Sequence, residues 1–325
     1  MSVTTLVTGG SGMLGSSIKN LYETYPEHKN HKLLTPTSDE LNLENKDDVF
    51  KYFQHNKIDR VFHSAAKVGG IKSNIEYPAE FITKNLNINS NIFEASARYK
   101  ISRLVFFGSS CIYPKNSKTP IKETSLMTGK LESSNYAYAV SKIAAISQCK
   151  AFNDQYNCDF RILMPSNLYG NNDNYDRENS HVIPALIHKF FLAIRNSEKF
   201  VEVWGTGKAQ REFLHVDDLT MAAFIIMNLD KQAYEKTLRK IGENHINVGS
   251  GDEISIFELC KLLKKISKFE GKIVFNKNNL DGVTSKVLDS TNMKALGWNT
   301  NISIEEGLKK SYGWFSQNYQ NITRK

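Results

Sequence analysis

Val3-Thr4-Thr5-Leu6-Val7-Thr8-Gly9-Gly10-Ser11-Gly12-Met13-Leu14-Gly15-Ser16-Ser17-Ile18 reads as strand, tight turn and helix. Its first six residues are β-prone and apolar enough for a buried parallel strand. Gly9, Gly12 and Gly15 then carry the spacing GxxGxxG. Missing side chains let the backbone turn sharply and approach a pyrophosphate, which a helix N-terminus attracts through free N–H groups and its dipole. Gly9, Gly12, Met13, Leu14 and Gly15 are therefore candidate cofactor-binding residues.

The same alternation continues downstream. His31 to Thr35 can form a second strand, Asp47 to Phe53 a helix, and Asp59 to Ala66 a third strand with its exit. Asn85 to Ala97 has helical spacing, and Arg103 to Gly108 is another apolar strand. Strand–helix alternation of this kind predicts an α/β fold, a doubly wound parallel Rossmann sheet that binds ligands outside the carboxyl ends of its strands. Residues 1 to 170 plus 212 to 250 would form this domain, the latter returning through a helix and the strand Ile246-Asn247-Val248-Gly249. Residues 171 to 211 plus 251 to 325 would form a smaller substrate-binding lobe, with the cleft between the two. Ile254 to Leu263 has helical apolar spacing, with Ser255 as its cap.

Composition narrows the class. With 325 residues, 40% hydrophobic and 23% charged, the chain is globular rather than disordered. A net charge of +8 permits nucleic-acid binding, but no run of five or six basic residues and no nucleic-acid motif accompanies it. No stretch of 18 apolar residues could span a bilayer, and the early strand leaves no room for a signal peptide, so a cytoplasmic protein is expected. Cys111, Cys149, Cys158 and Cys260 form no CxxC pair and no metal-ligand cluster, so reduced thiols and no metal are expected.

The cofactor's adenosine end is read after the second strand, where an acidic residue selects NAD and a basic one NADP. Here the strand runs into Thr35-Pro36-Thr37-Ser38-Asp39-Glu40, with no carboxylate directly at its end. Small hydroxyl residues could receive a phosphate, which favours NADP. Further on, Tyr138 and Lys142 form an i, i+4 pair that brings an ammonium beside a phenol. That charge, with an oxidised nicotinamide, would lower the phenol pKa toward neutrality. Ser109, at a strand end, supplies a hydrogen-bond partner for a substrate carbonyl.

The glycine turn, strand-end serine and YxxxK together resemble the extended short-chain dehydrogenases/reductases. More narrowly, nearly the whole chain resembles the GDP-L-fucose synthase family, the GDP-4-keto-6-deoxymannose epimerase-reductases. The distinctive segments are Ala65 to Ile71, Gly108-Ser109-Ser110-Cys111-Ile112-Tyr113-Pro114, Met164 to Gly170, Asn179 to Leu186, and Arg211-Glu212-Phe213-Leu214-His215-Val216-Asp217-Asp218. The resemblance implies that Cys111 and His181 are the acid/base pair moving protons at sugar carbons 3 and 5. Those protons are acidic because carbon 4 is a ketone, and Ser109 and Tyr138 would hydrogen-bond its oxygen through both reactions. Tyr138 would protonate that oxygen during reduction, and Lys142 would orient the nicotinamide ribose. The resemblance also implies substrate contacts at Asn167, Lys189, Trp204, Arg211 and Lys286, NADP(H) as cofactor and a homodimer.

By itself, Cys111 reads equally as a small buried thiol, and His181 as a structural histidine. Two segments depart from the family: Asn171-Asn172-Asp173-Asn174-Tyr175 replaces Pro-His-Asp-Asn-Phe, and the basic residues of bacterial relatives after the second strand are absent. The expected function is NADPH-dependent epimerisation and reduction of GDP-4-keto-6-deoxymannose to GDP-L-fucose. The alternatives are a carbon-4 reductase of a related GDP-linked keto sugar such as a 6-deoxy-heptose, or an inactive cofactor-binding redox sensor. Ser109, Tyr138 and Lys142 all being present speaks against the sensor. Ser109-Ser110-Cys111 in place of an acidic pair speaks against a dehydratase.

Overall fold

The computed structural model describes residues 3–25, 31–176, 180–276 and 286–322. Asn179, quoted above, lies outside them. The chain runs β1 (Thr4–Thr8), α1 (Met13–Thr24), β2 (Lys32–Leu34), α2 (Lys46–His55), β3 (Arg60–His63), α3 (Ile71–Glu76), α4 (Pro78–Arg98), β4 (Arg103–Phe107), α5 (Tyr136–Tyr156) and β5 (Phe160–Pro165). There follow β6 (Asn167–Tyr169), α6 (Val182–Arg195), β7 (Phe200–Trp204), β8 (Gln210–His215), α7 (Val216–Asn228), α8 (Lys231–Ile241) and β9 (Ile246–Val248). The C-terminal part holds β10 (Glu253–Ser255), α9 (Ile256–Ser267), β11 (Lys272–Asn276), α10 (Thr291–Ala295) and α11 (Ile304–Ile322).

Six parallel strands form the main sheet in the order β2-β1-β3-β4-β5-β9. Apart from the edge strand β2, the strands are buried on both faces because their alternate residues enter two different cores. Leu6, Val61, Leu104, Phe106, Ile162 and Met164 pack with residues of α2, α4 and α5. Val7, Phe62, Val105, Phe107 and Leu163 pack with Ile18, Tyr22 and the apolar side of α7. This is a doubly wound α/β sheet, and its strand order reverses between β1 and β3, directly under the glycine turn.

The smaller lobe has its own core, in which α6, α9 and α11 bury Ile187, Phe190, Leu259, Leu263, Leu308 and Phe315. Gln210–His215 pairs with β6 and β10 in a three-stranded sheet. One feature differs from the sequence reading. Ile254 and Ser255 belong to β10, opposite Arg211 and Gln210, so the helix begins only at Ile256. Ser255 caps it in a reciprocal capping box with Glu258.

The C-terminal region does not stay in the small lobe either. Met293 and Trp298 join the core beneath the main sheet. The Trp298 indole N–H donates to the Asp218 carbonyl at 2.9 Å, while both Asp218 carboxylate oxygens accept backbone N–H groups, from Asn301 and Ile302, at 3.1 Å. This crossing carries the chain from residue 286 past the carboxyl ends of the main strands. No helix among the described residues is long and apolar enough to cross a membrane.

Candidate active site

The site begins at the turn after β1. Gly9 has φ +69°, a conformation that glycine adopts without a steric cost. The Gly12 N–H donates to the Gly9 carbonyl at 3.0 Å, closing the turn. A Cβ on Gly15 would stand 2.2 Å from that carbonyl oxygen, so the helix can seat against the turn only with glycine there. Gly12 is the N-cap of α1, no side chain caps it, and the first turn, opened by Met13 and Leu14, holds no acidic residue. Free N–H groups and unopposed dipole fit a dinucleotide pyrophosphate.

Buried polar groups hold the neighbouring β3 exit in register. The Thr8 hydroxyl accepts the Ala65 N–H at 3.2 Å and meets His63 Nδ1 at 2.8 Å, and His63 Nε2 meets Asn89 Oδ1 at 3.1 Å. Burial first, then the charge of Lys142, holds the His63 imidazole down to about 3, so it is neutral.

At the end of β4 the backbone leaves the sheet through a 3-10 turn, Ser110–Ile112. Ser109 caps this turn, its hydroxyl accepting the Cys111 N–H at 3.5 Å. Cys111 is 7% exposed, and burial pushes its thiol pKa up while the Ser109 hydroxyl and the charges of Lys286 and Lys142 pull it back. Facing it from α5, Tyr138 packs its ring edge-on to Phe81. The Tyr138 phenol is raised by burial and by the Cys111 thiolate, against a hydrogen bond from Ser109. Lys142, one turn on, is 4% exposed, donates from Nζ to the Phe107 carbonyl at 2.9 Å and lies 5.8 Å from the Tyr138 ring centre. Its ammonium is lowered by burial to about 8.

The expected depression of the Tyr138 phenol is thus reversed in the protein alone. Desolvation by burial is the largest cause of the rise, and the Lys142 ammonium is hydrogen-bonded to the Phe107 carbonyl. A phenol that keeps its proton is the form a reductase needs as acid.

Lys286, carried in by the C-terminal crossing, approaches the Ser110 carbonyl with Nζ at 3.4 Å. Its pKa is lowered by burial, with Cys111 and Glu132 opposing and Arg211 reinforcing, which places it electrostatically between the thiol and Arg211. Ser109, Cys111, Tyr138, Lys142 and Lys286 are therefore brought together from three separate segments. Lys189 and Trp204 form a second group: Nζ lies 5.1 Å from the indole centre and donates to the Glu202 carbonyl at 3.0 Å. Asn167 is exposed, its amide donating to the Glu212 carbonyl at 2.9 Å, and Arg211 donates to the Gln210 carbonyl at 2.6 Å.

His181 is the N-cap residue of α6, the helix that also carries Lys189. The residue is exposed, yet surrounding protein desolvates its ring enough to lower its pKa. Among the described residues its imidazole makes no hydrogen bond and has no direct link to Cys111.

Sequence reasoning missed two supports. Tyr113, 0% exposed, bonds His245 Nε2 at 2.7 Å and Asn247 Oδ1 at 2.5 Å, while Glu123 accepts the Asn247 N–H at 3.1 Å. These bonds pin the Cys111 turn to β9. Glu212, also 0% exposed, accepts the Gly251 N–H at 2.7 Å and the Leu288 N–H at 3.0 Å, fixing the strand that delivers Lys286. Both residues stand inside quoted motifs, but their partners are more than 35 positions away and carry no local signal. Among the described residues no group of histidine, cysteine, aspartate and glutamate could hold a metal ion.

A dinucleotide cradle at the switch point, with a serine, tyrosine and lysine at the adjacent strand ends, defines a nucleotide-dependent oxidoreductase or epimerase. The sequence profile of the NAD dependent epimerase/dehydratase family matches residues 5–249, and the chain belongs to that family. Within it, the chain is 43% identical to the GDP-L-fucose synthase of Escherichia coli (strain K12) over 312 residues, 96% of each protein. Among solved structures it resembles a GDP-6-OMe-4-keto-L-xylo-heptose reductase from C. jejuni, with a TM-score of 0.90, 33% identity and 98% of both chains covered. It also resembles the NADP-bound GDP-L-fucose synthetase from Naegleria fowleri, with a TM-score of 0.87, 27% identity and coverage of 98% of this chain and 94% of that one.

Proposed function

We propose that this protein converts GDP-4-keto-6-deoxymannose to GDP-L-fucose, epimerising carbons 3 and 5 and reducing the carbon-4 ketone with NADPH. The observation that carries this reading is the buried Cys111 thiol set beside Ser109, Tyr138 and Lys142. A plain ketone reductase needs only the last three. The 43% identity to the Escherichia coli relative, across both lobes, supports the same substrate.

In this reading Ser109 and Tyr138 hydrogen-bond the carbon-4 oxygen, whose partial negative charge they stabilise as an enolate forms. Cys111 and His181 withdraw and return the protons at carbons 3 and 5. When bound, the reduced nicotinamide supplies the hydride for carbon 4. Tyr138, kept protonated by burial, gives its phenolic proton to the oxygen. Lys142 holds the ribose and compensates the phenolate left behind. Arg211 and Lys286 neutralise the diphosphate, and Asn167, Lys189 and Trp204 line the nucleotide and sugar. The division into a cofactor domain and a substrate lobe, a homodimer and a cytoplasmic location belong to the same proposal; the four free thiols suit a reducing compartment.

A second reading, carbon-4 reduction of a GDP-linked heptose, is favoured by the structural likeness to the heptose reductase and by the altered loop at 171–175. Incubation with NADPH and GDP-4-keto-6-deoxymannose in heavy water distinguishes them. NADPH oxidation with deuterium at carbons 3 and 5 of a fucose-configured product supports the first reading. Reduction without deuterium entry leaves a reductase, and no turnover removes the proposal.

A further inference from the structure

Lys142 carries a cation into the interior, where no anion meets it. The residue is 4% exposed, and among the described residues no carboxylate pairs with it. Three titratable groups lie within reach of its charge: Cys111 on the 3-10 turn, Tyr138 on its own helix and His63 on β3. Burial keeps the thiol and the phenol protonated, and it holds the His63 imidazole down to about 3, hence neutral. A buried ammonium without a counter-ion is costly, and it persists only where fixed dipoles replace its lost water.

Two such groups come from consecutive residues at the end of β4. The Phe107 carbonyl accepts from Lys142 Nζ at 2.9 Å, and Nζ lies over the Phe106 ring, 4.7 Å from its centre. The Tyr138 ring centre is farther away, at 5.8 Å. Phe106 is 0% exposed, and a cation over an aromatic face is attracted most strongly where water is excluded. The ring is held in this orientation by Phe93, packed edge-on at 5.6 Å, and by His63 at 5.8 Å.

We propose that Phe106 is a positioning residue of the proposed site, its ring face keeping the Lys142 ammonium charged and in place beside Tyr138. The inference rests on the proposed function only in the use made of that charge during reduction. Without the ring face, desolvation is opposed by the Phe107 carbonyl alone, so the ammonium gives up its proton at lower pH. In the native protein burial already brings Lys142 from 10.5 to about 8. Isotope-edited NMR of the lysine side chains in the full-length protein, with the Lys142 signal assigned by its loss in Lys142→Arg, reads this titration without substrate. Phe106→Leu is expected to lower the Lys142 midpoint by about one pH unit. Phe93→Leu removes another fully buried ring, one that packs on Phe106 and His63, and is expected to leave the midpoint where it was. An unchanged midpoint in Phe106→Leu, or an equal fall in Phe93→Leu, overturns the proposal. With GDP-4-keto-6-deoxymannose, the alkaline limb of NADPH oxidation should move down together with the midpoint in Phe106→Leu, and a limb that stays in place overturns the positioning role. Absence of turnover in the native protein sinks the proposed function, whereas the NMR midpoints decide the role of Phe106 without it.

Discussion

Replacing Tyr113 by phenylalanine removes one oxygen atom and leaves the ring's packing intact. In the native protein that hydroxyl donates to Asn247 Oδ1 and accepts from His245 Nε2, all three residues being 0% exposed. Asn247 Oδ1 can accept only, so the tyrosine must donate to it, which fixes the histidine proton on Nε2. Burial holds His245 down to about 4, so it is neutral and keeps this tautomer through the physiological range. The variant leaves two buried polar atoms without partners, each costing about 1–3 kcal/mol, partly offset because the lost hydroxyl no longer needs bonds of its own. The net expectation is about 2–4 kcal/mol of destabilisation. With an unfolding entropy of about 2.1 cal/mol/K per residue, that lowers Tm by roughly 3–6 °C. Because Tyr113 ends the turn that carries Cys111, deuterium entry into the sugar should fall more than NADPH consumption. Circular dichroism melts and product NMR in heavy water measure both effects. A Tm within about 1 °C of the native value, together with unaltered deuterium entry, would refute the reasoning.

Four further outcomes are expected. Gly15→Ala should weaken dinucleotide binding at least tenfold with the far-UV spectrum preserved, because its Cβ meets the Gly9 carbonyl at 2.2 Å; native affinity in a titration would contradict this. Glu212 is raised by burial to about 7 against an ordinary value of 4.5, so between those pH values the folded state holds a proton that the unfolded chain releases. Its contribution to stability is therefore greatest below pH 4.5 and declines as pH rises to about 7, and Glu212→Gln should flatten that slope in urea titrations; an unchanged slope refutes the assignment. Alkylation of Cys111 at neutral pH, followed by mass spectrometry, should be slower in Lys286→Met, because the Lys286 ammonium holds the thiol pKa down and its removal raises it; an equal or faster rate counts against their proximity. Tyr138→Phe should cut reduction by about 10²–10⁴-fold, whereas Cys111→Ser should lower deuterium entry more than hydride consumption; equal losses in both variants would undo the division of roles.

Local signals made much of this protein legible. The glycine turn after an apolar strand, the i, i+4 spacing of Tyr138 and Lys142, and the Ser255 cap are short-range features governed by backbone sterics and helix geometry. Where expectation and structure part, a distant partner is responsible. Ile254 fits the helical periodicity but lies in a strand, because it is paired with Arg211 of β8 and its β-branched side chain suits a strand. The three-stranded sheet of β6, β8 and β10 was not legible, because its strands come from segments about 40 residues apart in the chain.

The amino-acid sequence by itself determined the class of sheet and the glycine turn, and it named the candidate groups of the proposed site, since each is written in residue type and spacing. The tertiary structure alone decided their working state. It buried Cys111 and desolvated the partly buried Tyr138, so that both hold their protons, and it lodged the Lys142 ammonium on the Phe107 carbonyl. It also brought Lys286 across roughly half the chain to the thiol. Protonation depends on burial and neighbouring charge, and both are summed over segments that meet only once the chain has folded.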